Sequence, residues 1–326
     1  MGIGQKIQFV NYLKTKIMCL YPKLIKNKKY TKNKKNGGVI PAVSDNRVLW
    51  VTAACGKCFE CRKQKARAWQ VRMSEELREN PNAIFVTLTI SDESFEYIMD
   101  KYQIETNEEC CKKMVRLFLE RIRKETKKSI KHWFITEIGH QNTERYHLHG
   151  IMWGIGIDEI IKRNWKYGFV FIGQYVSEKT INYVVKYMLK KDKDHKEYNP
   201  TILCSAGIGA GYLNRKDSEL NKFKGTDTNE TYRLRNGTKL NLPIYYRNKI
   251  YTEEEREKLF IQKIEKGDVW ICGEKVKIDD QEAYKEILEY HQREKQKLYG
   301  DNPQEWEVAK YLRRLNKQRQ ARKRTK

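Results

Sequence analysis

Residues 146–154 read YHLHGIMWG, and the way this stretch folds decides how the rest of the chain is read. As a strand it alternates faces, which puts His147 and His149 on one side and Leu148 and Gly150 on the other. Two imidazoles held on one face of a strand can chelate a metal ion. They can equally be polar positions on a half-exposed strand, and the histidines alone leave both readings open.

Outward from this stretch the pattern is regular. HWFITEIG at 132–139 has the composition of a second strand, joined to the first by the loop HQNTERY. A hairpin across that loop would bring Glu137 opposite the histidines. IFVTLTI at 84–90 is rich in β-branched residues and predicts a buried strand. Residues 107–125 predict an amphipathic helix with Met114, Leu117, Phe118 and Ile122 inward. Downstream, 157–168 predicts a short helix, FVFIGQYV at 169–176 a strand, and 177–192 a helix opened by a Ser-type cap. The order β-α-β-β-α-β-α predicts an α+β fold of ferredoxin-like or related kind, an antiparallel-rich central sheet with helices on one face.

Around that core, 80–195, lie two flanks. Residues 1–79 are a basic, Cys-rich N-terminal segment whose part from 55 to 79 runs from a cysteine knuckle into a helix, with Trp69, Val71, Met73 and Leu77 inward. Residues 196–326 form a basic, mostly helical extension, with helical stretches near 252–266 and 280–298. CSAGIGAGYL at 204–213 is glycine-rich, but it lacks the strand–glycine–helix unit and the matching Lys of a phosphate cradle.

Composition narrows the function. Of 326 residues, 39% are hydrophobic and 33% charged, and 66 Lys and Arg against 42 Asp and Glu give a formal charge of +24. Such an excess suits a polyanionic partner, nucleic acid rather than a membrane surface. Basic runs sit at both ends: residues 1–44 hold ten lysines and no acid, and 310–326 hold nine Lys or Arg and no acid. No apolar run approaches the ~20 residues that span a bilayer, and the N-terminus lacks the apolar core of a secretory signal. Eight cysteines without such a signal point to a reducing compartment. CGKCFEC supplies Cys55, Cys58 and Cys61 at C-x2-C-x2-C, which with Cys19 as a fourth ligand could hold a structural Zn²⁺, or could be reduced cysteines packed at a helix start. Cys110, Cys111, Cys204 and Cys272 read as ordinary thiols.

Two constellations carry chemistry. His147, His149 and Glu137 would suit a divalent ion such as Mg²⁺ or Mn²⁺ with positions left open for a phosphate oxygen. Tyr183 and Tyr187, four apart on a helix, share a face, and each is followed three residues later by a lysine, Lys186 and Lys190. A phenol is protonated near neutrality, and a nearby cation would favour the nucleophilic phenolate. Taken alone, such a tyrosine pair is ordinary helix packing. Beside a metal it can attack a phosphodiester and keep a 5′-phosphotyrosine.

FVTLTI at 85–90, HLHG at 147–150 and YVVKY at 183–187 resemble the three motifs of the HUH endonucleases, in that family's order. The tyrosine pair resembles its two-tyrosine branch. MCLYPKLI at 18–25 and CGKCFECRKQKARAW at 55–69 are similar to segments of the rolling-circle replication initiators of gokushovirus-type Microviridae, small single-stranded DNA phages. The resemblance covers about residues 18–192. It implies a Mg²⁺ or Mn²⁺ ion on His147, His149 and Glu137, Tyr183 and Tyr187 as alternating nucleophiles, and Lys186 against the phosphate. Thr87 and Thr89 would be scaffold without a chemical role. It further implies a DNA endonuclease and strand-transferase that nicks single-stranded or locally melted origin DNA, leaves a free 3′-OH and later rejoins the displaced strand. The setting would be the bacterial host cytoplasm, with a host helicase and polymerase as partners, since no P-loop motif occurs in the chain. A transposase or relaxase of the same chemistry, and a non-catalytic zinc-knuckle nucleic-acid-binding protein, are the alternatives.

Overall fold

In the computed structural model, residues 18–139, 144–190, 192, 194–195, 198–277, 279–307, 311 and 314 are described. The extreme basic ends and the middle of the loop before Tyr146 lie outside them. A first hairpin pairs β1 (Lys23–Lys26) with β2 (Trp50–Ala53), and helix α1 (Phe59–Glu79) follows the cysteine knuckle. The central sheet comprises β3 (Ala83–Thr89), β4 (Lys131–Ile138), β5 (Tyr146–Trp153), β6 (Val170–Gly173) and β7 (Ile202–Cys204). Its order is β6-β3-β5-β4-β7, with every neighbouring pair antiparallel. The histidine strand is therefore the middle one. Glu137 pairs with His147 and Ile135 with His149 on one side, Thr89 with His147 and Thr87 with His149 on the other.

The first face of the sheet, with Ile84, Val86, Leu88, Phe134, Leu148 and Met152, packs on α2 (Asp92–Lys101), α3 (Asn107–Thr126) and α4 (Asp158–Asn164). Met114, Phe118 and Ile122 of α3 point into this core, as their spacing predicts. Helix α2 was not expected, although Ser91 caps it, accepting from the Ser94 N–H at 3.2 Å, and Asp92 and Glu93 occupy its first turn.

The second face is covered too, which corrects the expectation of helices on one face. Trp133, Ile135, Ile151 and Trp153 are buried under α1 and α5 (Glu178–Lys186) by Ala66, Met73, Ile181, Val184 and Val185. The reason is that β4 and β5 carry large apolar side chains on both sides, and a sheet apolar on both faces must be covered on both. The sheet and its layers thus draw on the N-terminal segment through α1 and on the C-terminal extension through β7.

The extension also adds a hairpin of β8 (Thr231–Arg233) and β9 (Lys239–Asn241), helices α6 (Ile244–Ile250) and α7 (Glu253–Glu265), a hairpin of β10 (Asp268–Ile271) and β11 (Glu274–Lys277), and helix α8 (Gln281–Tyr299). Tyr212, Tyr232, Tyr246 and Leu259 pack on Val71 of α1. Two buried carboxylates of α1 bind this part of the chain. Glu75 takes both oxygens to Arg215 at 2.7 Å, and Glu76 accepts from Lys131 Nζ at 2.7 Å and from the Gly209 N–H at 2.9 Å. Gly209 has φ +73°, and a Cβ there would lie 2.4 Å from the Arg72 carbonyl oxygen. The glycine-rich segment is therefore a close-packing surface for α1, in keeping with rejection of a phosphate cradle. Among the described residues, no helix is long and apolar enough to cross a membrane.

Candidate active site

The second face of the sheet changes character along its length. One half is apolar, from Phe85, Trp133, Ile135, Ile151 and Trp153. The other half is polar, from Thr87, Thr89, Glu137, His147 and His149, brought into two adjacent rows by the register. Helix α5 lies over this face. Ile181, Val184, Val185 and then Met188 enter the apolar half, a spacing that leaves Tyr183 and Tyr187 on the flank toward the histidines. The helix predicted over 177–192 stops at Lys186. The next turn tightens through i→i−3 bonds from the N–H groups of Tyr187, Met188 and Leu189, at 3.3, 3.1 and 2.9 Å.

The sequence-predicted groups converge. The Tyr187 ring stacks on the His149 ring with centroids 4.3 Å apart and an interplanar angle of 9°. Tyr183 and Tyr187 share a hydrogen bond of 2.7 Å between their hydroxyls. His149 Nε2 lies 2.8 Å from Glu137 Oε2, and its Nδ1 lies 3.1 Å from Thr87 Oγ1. The other Glu137 oxygen accepts from Lys190 Nζ. His147 stands parallel to His149, ring centroids 6.4 Å apart.

Two contributions were not anticipated. Thr87 binds the inner nitrogen of His149, and because a hydroxyl both donates and accepts it can serve either imidazole tautomer. Lys190, rather than Lys186, reaches the carboxylate; Lys186 is exposed at the helix end. Lys190 comes in because the tightened turn carries it toward the sheet, a feature without a local sequence signal.

Burial and the neighbouring His149 push the His147 pKa below its ordinary value, which keeps the ring neutral and ligand-competent near neutrality. Burial opposes ionisation of Glu137, but hydrogen bonds from His149 and Lys190 outweigh it and hold the carboxyl below the usual range. Tyr187 runs against the expected phenolate. Burial, its hydrogen bond with Tyr183 and the charge of Glu137 all push its pKa up. Lys190 pairs with Glu137, and it is the carboxylate's charge that bears on the phenol.

The donor chemistry of two imidazoles and one carboxylate fits a divalent cation. As the side chains stand, Glu137 is engaged with His149 and Lys190, and His147 faces it across the strand register. Among the described residues, only Cys19, Cys55, Cys58 and Cys61 form a set of three or more metal-ligand atoms all within 4.8 Å of one another. Here Sγ atoms of Cys19 and Cys58 are 4.0 Å apart and those of Cys55 and Cys61 3.8 Å. A tetrahedral zinc with bonds of ~2.3 Å separates its sulfurs by about 3.8 Å, so the four thiols could hold zinc. The N–H groups of Cys55 and Cys58 donate to Cys19 and Cys55 sulfurs at 3.2 and 3.3 Å. Cys110 and Cys111 are buried in the α3 core, and Cys272 packs beside the knuckle without joining the four.

The stretch holding every one of the site's His, Glu, Thr and Tyr residues is also the stretch that matches known proteins. Residues 83–192 match the family model described as replication-associated protein ORF2/G2P. The chain is also 28% identical, over 228 residues covering 60% of this chain and 69% of the relative, to the replication-associated protein ORF2 of Spiroplasma virus 4. No solved structure matches the chain.

Proposed function

We propose that this chain is a replication initiator of a single-stranded DNA phage that nicks origin DNA by tyrosine transesterification. The likeness to replication-associated proteins supports the replication role. The observation that carries the mechanism is the stack of Tyr187 on His149, with Tyr183 hydrogen-bonded to Tyr187, on the face that holds Glu137 and His147.

A phenolic oxygen of Tyr183 or Tyr187 attacks the scissile phosphorus. The P–O3′ bond breaks, the phenol's proton passes overall to the departing 3′-oxygen, and a 5′-phosphotyrosine diester remains. The second phenol, on the same face, stays free for a second transfer that rejoins the strand. Mg²⁺ or Mn²⁺, when held by His147, His149 and Glu137, supplies Lewis-acid polarisation of the phosphate. Thr87 fixes the plane of His149, and with it the surface on which Tyr187 rests. Lys186 supplies positive charge at the end of α5 against the phosphate, while Lys190 holds Glu137. The four thiols hold a structural zinc that fixes the start of α1.

The test is incubation of the full chain with a labelled single-stranded origin oligonucleotide and Mn²⁺ or Mg²⁺, followed by denaturing electrophoresis. A covalent adduct is expected, absent from Tyr183→Phe/Tyr187→Phe and from His147→Ala. An adduct that persists in the double Phe variant would exclude these nucleophiles.

A further inference from the structure

On edge strand β6 and immediately to either side of it, aromatic side chains are exposed: Phe169 by 69%, Phe171 by 53% and Tyr175 by 89%. Elsewhere in this sheet large side chains are covered, so three open rings in seven residues are an anomaly for a well-packed chain. Register places Phe171 opposite Thr87, and hence on the face of His149. Phe169 is two residues earlier on the same side, its carbonyl bonded to the Thr89 N–H at 2.9 Å. The rings continue inward without a gap. Phe85 lies edge-on between Phe171, 6.4 Å away, and Tyr183, 6.0 Å away, and is 6.4 Å from His149. Among the described residues, β6 pairs with β3 alone, and no helix covers its site face.

We propose that Phe169 and Phe171, with Tyr175 beyond them, form a stacking ledge for unpaired bases of single-stranded DNA leading to the tyrosines. This rests on the nucleic-acid reading above. Three observations select that occupant. The ledge is continuous with the tyrosine pair, its rings stand singly in the way that base stacking uses, and the chain is strongly cationic, with exposed Lys166 and Lys179 flanking the segment. A second copy of the chain would want a closed apolar patch, and here the rings border the polar row of Thr87 and Thr89 on the site face.

The experiment measures equilibrium binding of the full chain to labelled oligothymidine without added divalent ion. Phe169→Ala/Phe171→Ala should weaken single-strand binding by on the order of tenfold or more, and Phe169→Tyr/Phe171→Tyr should restore it. Phe169→Leu/Phe171→Leu, apolar but unable to stack, should behave like the Ala pair. Duplex binding should be unchanged. Equal binding by the Ala pair and the unaltered chain, an equal loss on duplex, or a change in self-association instead of DNA binding overturns the ledge. Should the variants fold poorly, abasic sites scanned through the oligonucleotide test the unaltered chain: one or two positions should weaken binding, and uniform indifference overturns it. Failure of the covalent-adduct assay with ledge-dependent binding intact removes the nicking mechanism and leaves the ledge standing. Adduct formation with binding indifferent to the ledge does the reverse.

Discussion

His149 has both ring nitrogens occupied, by Glu137 and by Thr87, and its face by Tyr187. Thr87→Val removes one of these constraints at nearly constant shape. The variant should lose about 1 kcal/mol of stability and about tenfold in Mn²⁺ affinity by calorimetric titration; unchanged affinity would reduce Thr87 to packing. Tyr187 titrates in a known direction. A phenol whose pKa is raised in the fold stabilises it below the ordinary value of 10 and loses that contribution as pH rises above it. Tyr187→Phe should therefore remove a phenolate absorbance that appears above the ordinary value of 10, measured without divalent ion. A signal lost at or below pH 10 would contradict the electrostatics described here. Gly150 completes the motif for a reason of space: a Cβ there would lie 2.3 Å from both the Phe134 ring and the Trp133 carbonyl oxygen. Gly150→Ala should cost about 1–3 kcal/mol in denaturant unfolding.

At the scale of elements, period and composition made the main strands and α3 readable, because burial imposes both. Ile181, Val184 and Val185 form the inner side of α5, and the tyrosines lie on the flank that this spacing leaves. The early end of α5 at Lys186 was not readable, since the tightened turn answers to packing of Met188 and to the reach of Lys190. The second covered face was legible in principle from Trp133, Ile135 and Ile151, which alternation alone assigns to the side of the histidines. Helix α1 shows the same limit. Its Glu75 and Glu76 look like surface charges in a basic helix, yet they are buried against Arg215 and Lys131, partners distant in sequence. Glu76→Ala leaves the Gly209 N–H without its acceptor and frees Lys131 to water, and should cost about 1–3 kcal/mol; a loss below about 0.5 kcal/mol would show the contact to be expendable.

Across the whole molecule, the cysteine knuckle is where the two ends of the described chain meet. Asp301 is buried and caps α1, accepting from the Phe59 N–H at 2.8 Å and facing Arg62. Phe59 stacks on Tyr299 at 4.0 Å, Tyr21 meets Trp306 edge-on, and Gln292 donates to the Leu20 carbonyl at 2.5 Å. A cap supplied from 242 residues away leaves no local trace in the sequence. With zinc on the four thiols, chelation or Cys58→Ser should lower the melting temperature and expose α8 to proteolysis before the central sheet. Release of about one zinc per chain, read by a colorimetric chelator, checks the assignment; a chain that melts unchanged without metal refutes it.

The central claim is that the phenols of α5 and the histidine face of the sheet act on one phosphodiester. Mass spectrometry of the protease-digested protein–DNA adduct tests it most directly. Nucleotide mass is expected on the peptide carrying Tyr183 and Tyr187, on either residue and on no other. A nucleotide attached to a different tyrosine or to serine would contradict it.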